Sequence, residues 1–518
     1  MESLWHVEST KIIHIVLFIG AHFVLQTNAA RECPFNPAPC VCPYGTLTCS
    51  SVEDLTALYQ EVGDLNITSI YFRGGNITSI SGNNLPPGLE YIYFSNQPLT
   101  NISEDALNSS AQTLNSLTII GAQFLQLPKA LLVLTNLTSL RIQDAPIQNW
   151  DDSVLEHITA NVKYLQLKNV SLTIWPRSIS SSRTLVSLDL SYNPLKYIPD
   201  DAFQFLNYTL KDLDLSQTGL TKVPMALFSL SNLSRLDLSG IALSNVTDIE
   251  QLESMPFATG LVFITLESSQ IKTILNFSSF TSLDTITLNN NSITDATPGS
   301  FPPSLTYLSL KENRLTAVPT AIAHLPQLAE LFLSHNQIAS IEPGSLPPSL
   351  TTLDLSYNKI SVITNTSFIN MKNVTYLSLY SNPISIIDPS AFSDLVSLKY
   401  LNLGRSSLME IPLAVTSLPA DIDLSMFETG YIRCPCPPPQ ELVDWFALTN
   451  GTVPFFMSCD SYQSAEQYLT TGCVSTSTTI TTVALTDTTH RGSATSLQRA
   501  LFSIRGSLLI LTTAFLMY

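Results

Sequence analysis

Four aspartates, Asp189, Asp212, Asp214 and Asp237, come nearest to a catalytic spacing, because adjacent strands would gather them into an acid–base pair or a calcium site. Their setting argues for a structural role instead. Asp189, Asp214 and Asp237 each stand in Leu-Asp-Leu-Ser, and so does Asp354, so the motif belongs to a repeat rather than to one reacting centre. Of the seven histidines, only His157, His324 and His335 lie in the body of the chain, and none has a zinc-protease or nucleophile-elbow context. His335 reads as an exposed polar residue. No catalytic residue, metal or cofactor is expected. The eight cysteines form two groups, Cys33, Cys40, Cys42 and Cys49, then Cys434, Cys436, Cys459 and Cys473. No histidine accompanies either group, which favours disulfides over zinc, although spacing alone allows several pairings within each group.

These residues are carried by a repeat. Leu350, Leu353, Leu355, Asn358 and Ile360 match L-x-x-L-x-L-x-x-N-x-L, and first positions recur at Leu305, Leu328, Leu350, Val374 and Leu398. The period of about 22 to 24 residues is that of a stacked solenoid, not of a helical bundle. The register continues upstream through Leu283, Leu261, Leu233, Leu210, Leu185, Val162, Leu137, Leu114 and Leu89 to Ile67, giving about fifteen turns. Alternation along a short strand turns the fourth and sixth positions inward and the residue between them outward. One turn cannot close its own core, so burial accumulates only by stacking.

Asparagine at the ninth position, as at Asn193, Asn291, Asn313, Asn336, Asn358 and Asn382, can satisfy backbone groups of neighbouring turns. Gly75, Gln97, Ala122, Ala145 and Val170 stand there earlier, which predicts a less regular first third. Pro-Pro pairs at Pro86, Pro302 and Pro347 predict extended links on the opposite side, and Asp388 to Leu395 predicts a helical turn.

The repeats resemble the extracellular leucine-rich-repeat family of cell-surface receptors and matrix proteoglycans, over roughly residues 33 to 473. The resemblance implies an α/β, right-handed solenoid (horseshoe) with a parallel concave sheet and a mostly irregular, polyproline or short-helical convex side. It also implies a concave face that binds other proteins. The cysteine groups are similar to that family's terminal caps, which implies the pairs Cys33–Cys42, Cys40–Cys49, Cys434–Cys459 and Cys436–Cys473. The expected organisation is a signal peptide at 1–30, an amino-terminal cap at 31–60, repeats over 65–425 and a carboxy-terminal cap at 430–473. A Ser/Thr-rich stalk at 474–492 and a glycolipid-attachment (GPI) signal at 493–518 follow.

The leader is read from Lys11, the apolar run Ile12 to Leu25 and the small residues Ala29 and Ala30. The anchor is read from Gly492, Ser493 and Ala494, a spacer with Arg499 and Arg505, and a terminal apolar run too short to span a bilayer as helix, with Ser493 as attachment residue. Glycosylation sequons are numerous, including Asn66, Asn136, Asn232, Asn276, Asn373 and Asn450. Together they predict passage through the secretory pathway to the outer face of the plasma membrane or the cell wall.

A formal net charge of -17 and a pI near 4.7 exclude nucleic acid as a partner, because no basic stripe is available to release counterions. What remains on the outward strand positions is aromatic. Tyr71, Tyr91 and Tyr93 cluster early, bracketed by sequons at Asn66, Asn76 and Asn101, while Asn169 and Asn290 carry sequons mid-sheet. Tyr307, Phe332, Tyr376, Tyr380 and Tyr400 lie late, with Arg405 expected to add a cation beside Tyr400. Aromatics also suit strand surfaces as such, so binding and sheet stabilisation both account for them. The reading favoured is a non-catalytic, lipid-anchored recognition protein that binds an extracellular protein or glycan, with signalling dependent on a transmembrane co-receptor. An inhibitor of a secreted hydrolase is the alternative, and a structural wall or matrix component the third.

Overall fold

The computed structural model describes residues 40–473 except 54, 56–65, 83, 244–250, 275, 295–299, 429–430, 450–457 and 460–462. The leader, Cys33, Asn450, the stalk and Ser493 lie outside the described residues. The body is one 18-stranded sheet that follows chain order. Cys40–Val41 runs antiparallel to Thr46–Val52, which pairs in parallel with Ser69–Gly75. Tyr91–Ser95, Ser116–Ile120, Ser139–Gln143 and Tyr164–Lys168 follow, and three-residue strands continue from Ser187–Asp189 to Asp423–Ser425.

Register follows the leucines. Leu353 pairs with Leu331 on one side and Leu377 on the other, so equivalent positions stand in rows across the sheet. Leu350, Leu353 and Leu355 are all fully buried. At about 2 kcal/mol for each buried leucine side chain, the rows supply the main cohesion between turns. Phenylalanine takes the inward sixth position in two early turns, where Phe72 stacks on Phe94 with ring centroids 5.1 Å apart.

The ninth-position asparagines do the polar part of this stacking. Asn336 is buried, and its Nδ2 donates to the carbonyls of Leu310 (2.9 Å), Leu333 (3.0 Å) and Ser334 (3.3 Å). Its Oδ1 accepts from the Leu315 N–H at 3.0 Å. Asn313, Asn358 and Asn382 repeat the pattern on the Ile293, Ile338 and Ile360 N–H groups. Each amide thus satisfies backbone groups that the strand end would leave buried and unpaired.

The first third differs from expectation. It is not less regular; its strands are five to seven residues long where later ones have three. The N–H that an asparagine oxygen takes in later turns bonds here within its own turn, as Ile147 N–H does to Ala145 O (2.9 Å). Gln97 acts as a longer asparagine, donating to Gly74 O at 2.6 Å and accepting from the Ile77 N–H at 3.1 Å.

On the convex side, short helical turns open directly after proline, at Lys129–Val133, Arg177–Ser181, Met225–Ser229, Thr320–Ile322 and Leu413–Ser417. Proline presets the entering φ and gives up an N–H that a helix start would not use. Asp152–Asn161 is the longer helix of this side, capped by Asp151 and buried through Val154, Leu155 and Ile158. Asp388 to Leu395 forms consecutive turns with bonds three residues apart rather than a helix.

At the far end Trp445, on Gln440–Leu448, is buried and donates to Leu418 O at 3.2 Å, covering the last leucine row. The structure pairs Cys40 with Cys49, Cys434 with Cys459 and Cys436 with Cys473, and Cys42 is also disulfide-bonded. Asn336→Ala leaves the buried Leu315 N–H without a partner and takes one of two donors from each of the Leu310, Leu333 and Ser334 carbonyls. It should cost about 3 kcal/mol in urea unfolding, and a loss below about 1 kcal/mol would show that water or relaxation replaces the amide.

Candidate functional site

Counting each turn from its first leucine, positions three and five of the strand face the concave side. Position three carries, in register, Tyr307, Glu330, Thr352, Tyr376 and Tyr400. Tyr376 and Tyr400 are half-buried and stack almost coplanar, with centroids 4.7 Å apart and an interplanar angle of 6°. Burial raises both phenol pKa values, and the neighbouring Asp354 raises both further. Asn402 donates to the Tyr400 hydroxyl at 3.2 Å, fixing the ring at the sheet surface.

Of the other residues anticipated with this pair, Tyr307 shares its row, and Phe332, Tyr380 and Arg405 do not. Phe332 is only 8% exposed, covered by the Tyr307 ring at 5.2 Å and by the Lys311 ammonium 4.5 Å over its face. Its ring thus packs under Tyr307 and leaves little surface of its own. Tyr380, at position seven, leaves the row and joins Tyr357 at 5.4 Å and Phe427 at 5.5 Å. Its ring passes over Gly404, where an added Cβ would sit 3.0 Å from Tyr380 Cδ2 and 2.9 Å from Phe427 O. Arg405 does not stand beside Tyr400 as a spare cation. It pairs with Glu428 and lies 5.5 Å over the Tyr380 ring.

Position eight was missed by sequence reasoning. It has a positive φ in every turn, from Gly74, Asn96 and Gly121 through Tyr192, Asn290, Glu312, His335, Tyr357, Ser381 and Arg405 to Glu428. A residue with a Cβ held there costs roughly 1–2 kcal/mol. The column forms a ledge beside the strands, and on it His335 and Tyr357 stack with centroids 4.1 Å apart at 13°. The signal that could have revealed it is the recurrence of Gly and Asn at this position in the earlier turns.

Earlier strands form a concavity of 1540 Å³ that ends at Glu330, so Tyr376 and Tyr400 lie beyond it. Tyr71 and Tyr93 sit at its start, 5.8 Å apart. Asn66, Asn136, Asn232, Asn276 and Asn373 are exposed, and Asn169 and Asn290 project from the ledge position.

The carboxylates meet at the centre of this concavity. Asp189, Asp214 and Asp237 are paired in register on successive strands, and each accepts a 2.8 Å bond from the N–H two residues on. Asp189 also accepts from Gln166, while Asp212 is bridged by Arg235 at 3.5 Å. That Arg235 lies 4.1 Å over the Phe263 ring. Among the described residues no group of three or more His, Cys, Asp or Glu side chains is placed to hold a metal. Burial, then the flanking Asp189 and Asp237, push the Asp214 carboxyl up to about 6 from its ordinary 3.8.

A raised carboxyl pKa means that the folded chain binds this proton more tightly than the unfolded chain. Charged Asp214 therefore weakens the fold above pH 6, and the penalty fades as pH falls through 6 towards 4. Asp214→Asn, which keeps an oxygen for the Ser216 N–H, should raise unfolding stability at pH 7.5 by up to about 3 kcal/mol. The gain should vanish near pH 4. A gain independent of pH, or a loss at pH 7.5, would contradict this electrostatic account.

Residues 183–243, 281–338 and 348–408 match the family model described as leucine rich repeat. No curated protein matches at the level of sequence. Among solved structures, the chain is similar to a leucine-rich-repeat protein of Leptospira interrogans, at 22% identity and a TM-score of 0.51, covering 71% of this chain and 92% of that one. It is also similar to the mouse RP105/MD-1 complex, at 18% identity and a TM-score of 0.54, covering 77% and 76%. The Drosophila Toll–Spatzle complex gives 19% identity and a TM-score of 0.50, covering 73% and 54%. At such identities the likeness speaks for the fold. Repeat register, parallel sheet and family match together make this chain a leucine-rich-repeat solenoid.

Proposed function

We propose that this chain is a non-catalytic recognition protein of the cell exterior, binding an extracellular protein or glycan through the concave face of its last turns. The observation that carries the reading is the Tyr376–Tyr400 stack. Two large amphipathic side chains stand half-exposed on a rigid sheet, where little conformational entropy remains to be lost on binding. Tyr307 extends the row towards the earlier turns, while Tyr380 and Arg405 border it on the ledge side. Among the described residues of the strands from Tyr307 onward, the concave third and fifth positions hold no sequon, so glycans would not crowd this end.

The disulfides support an oxidising, extracellular setting. No helix among the described residues is long and apolar enough to cross a membrane. Attachment through a glycolipid at Ser493 would hold the chain at the outer leaflet and leave signalling to a transmembrane co-receptor. Release of the native surface protein by a phosphatidylinositol-specific phospholipase checks the anchor, and retention on the membrane counts against it.

For the binding face, Tyr376→Ala and Tyr400→Ala should each cost more than about 1 kcal/mol of affinity for the native partner, with the unfolding midpoint little changed. Unchanged affinity in the double variant would move the site off these strands.

A further inference from the structure

The last six turns differ from the first five in what they place at the left-handed eighth position. Gly74, Asn96, Gly121, Asp144 and Asn169 are residue types that accept a positive φ readily. Glu312, His335, Tyr357, Ser381, Arg405 and Glu428 hold φ between 52° and 61° in the same place, and most are large. Repeated use of unsuited residues in one column, where glycine or asparagine serves in equivalent turns, marks side chains kept for what they present.

What they present is one connected surface. His335 stacks on Tyr357, Tyr357 meets Tyr380 edge-on, and Tyr380 reaches Phe427. The Arg405–Glu428 pair closes the run, with the Tyr380 hydroxyl donating to Glu428 at 3.4 Å. His335, Tyr357, Arg405 and Glu428 are exposed.

We propose that this ledge is a second contact surface, continuous with the concave tyrosine row, and that it takes an extended polypeptide segment running across the turns. The inference rests on the recognition reading above and deepens it by naming the partner's chemistry. One face of each ring is already used within the chain: His335 and Tyr357 stack on one another and Arg405 lies over Tyr380. A sugar ring binds aromatic side chains by their open faces, whereas this stack leaves edges and polar ends exposed. Those suit main-chain amides and aliphatic side chains. Charges of both signs, Glu312, Arg405 and Glu428 on the ledge with the exposed Lys359 beside it, favour a mixed polypeptide over a polyanion. Six turns are separated by five spacings of about 4.8 Å, which together span about seven residues of extended chain.

The test uses displayed libraries of short linear peptides selected on the full chain, with a microarray of neutral glycans probed in parallel. Enriched peptides should bind the His335→Gly/Tyr357→Gly variant at least about tenfold more weakly. That variant's thermal midpoint should hold or rise, because glycine removes the ring and relieves the left-handed backbone together. Failure to enrich peptides, undiminished binding to the variant, or glycans bound in a ledge-dependent way would each overturn the proposal. Peptides that lose binding to Tyr376→Ala/Tyr400→Ala but not to the glycine variant would overturn the ledge alone. Loss confined to the glycine variant would support the ledge and count against the concave row.

Discussion

The asparagine side-chain amide, shared between two turns, is the interaction on which the later half of this structure depends. A strand of three residues can bury its leucine only if the chain then turns sharply, and that turn leaves carbonyls and an N–H inside. Asn291, Asn313, Asn336, Asn358 and Asn382 take up those groups, each donating to the preceding turn and to its own. The residue just before each of them adopts a positive φ as the chain swings into that position. Core stacking and the outward direction of the ledge side chains are therefore one geometric problem solved once per turn. Strand length does not follow the amide: turns with Ala122, Ala145 and Val170 in its place have five-residue strands, whereas those with Thr218, Ile241, Ser269 and Ser406 have three.

Two surfaces of different chemistry rest on this scaffold. The centre of the sheet carries three carboxylates in register, tied down by local N–H groups and held apart by nothing but strand spacing. Burial of charge, and then repulsion between the neighbouring carboxylates, is a cost to the fold at neutral pH, modest beside the leucine rows. The last turns carry aromatic rings that pack on one another across strands, so their geometry is set before any partner arrives. A surface built in this way loses little entropy on association, which is what favours rigid tyrosines as anchors.

Much of the scaffold was legible in the leucine spacing, and some of the surface was not. Tyr376 opposite Tyr400 follows from counting, since equal positions in successive turns must pair. Phe332 does lie on an outward row, yet Tyr307 and Lys311 close over it, and contacts between side chains of different turns have no sequence signature. Arg405 finds its partner in Glu428, whose turn starts with Asp421 instead of an apolar residue and so escapes the leucine register. His335 and Tyr357 announce no left-handed backbone by their own identity. Only the glycines and asparagines of other turns do.

If the amide ladder holds the aromatic surface of the last turns rigid in the free protein, amide hydrogen exchange on the full chain shows it most directly. The N–H groups of Leu315, Ile338 and Ile360, bonded to asparagine side chains, should exchange as slowly as those of the strands. So should those of His335, Tyr357, Ser381 and Arg405, which bond to the next turn at 3.0, 2.8, 2.8 and 3.0 Å. Rapid exchange at these positions beside slow strand amides would mean that the ledge forms only on binding, and the account of a prebuilt surface would fail.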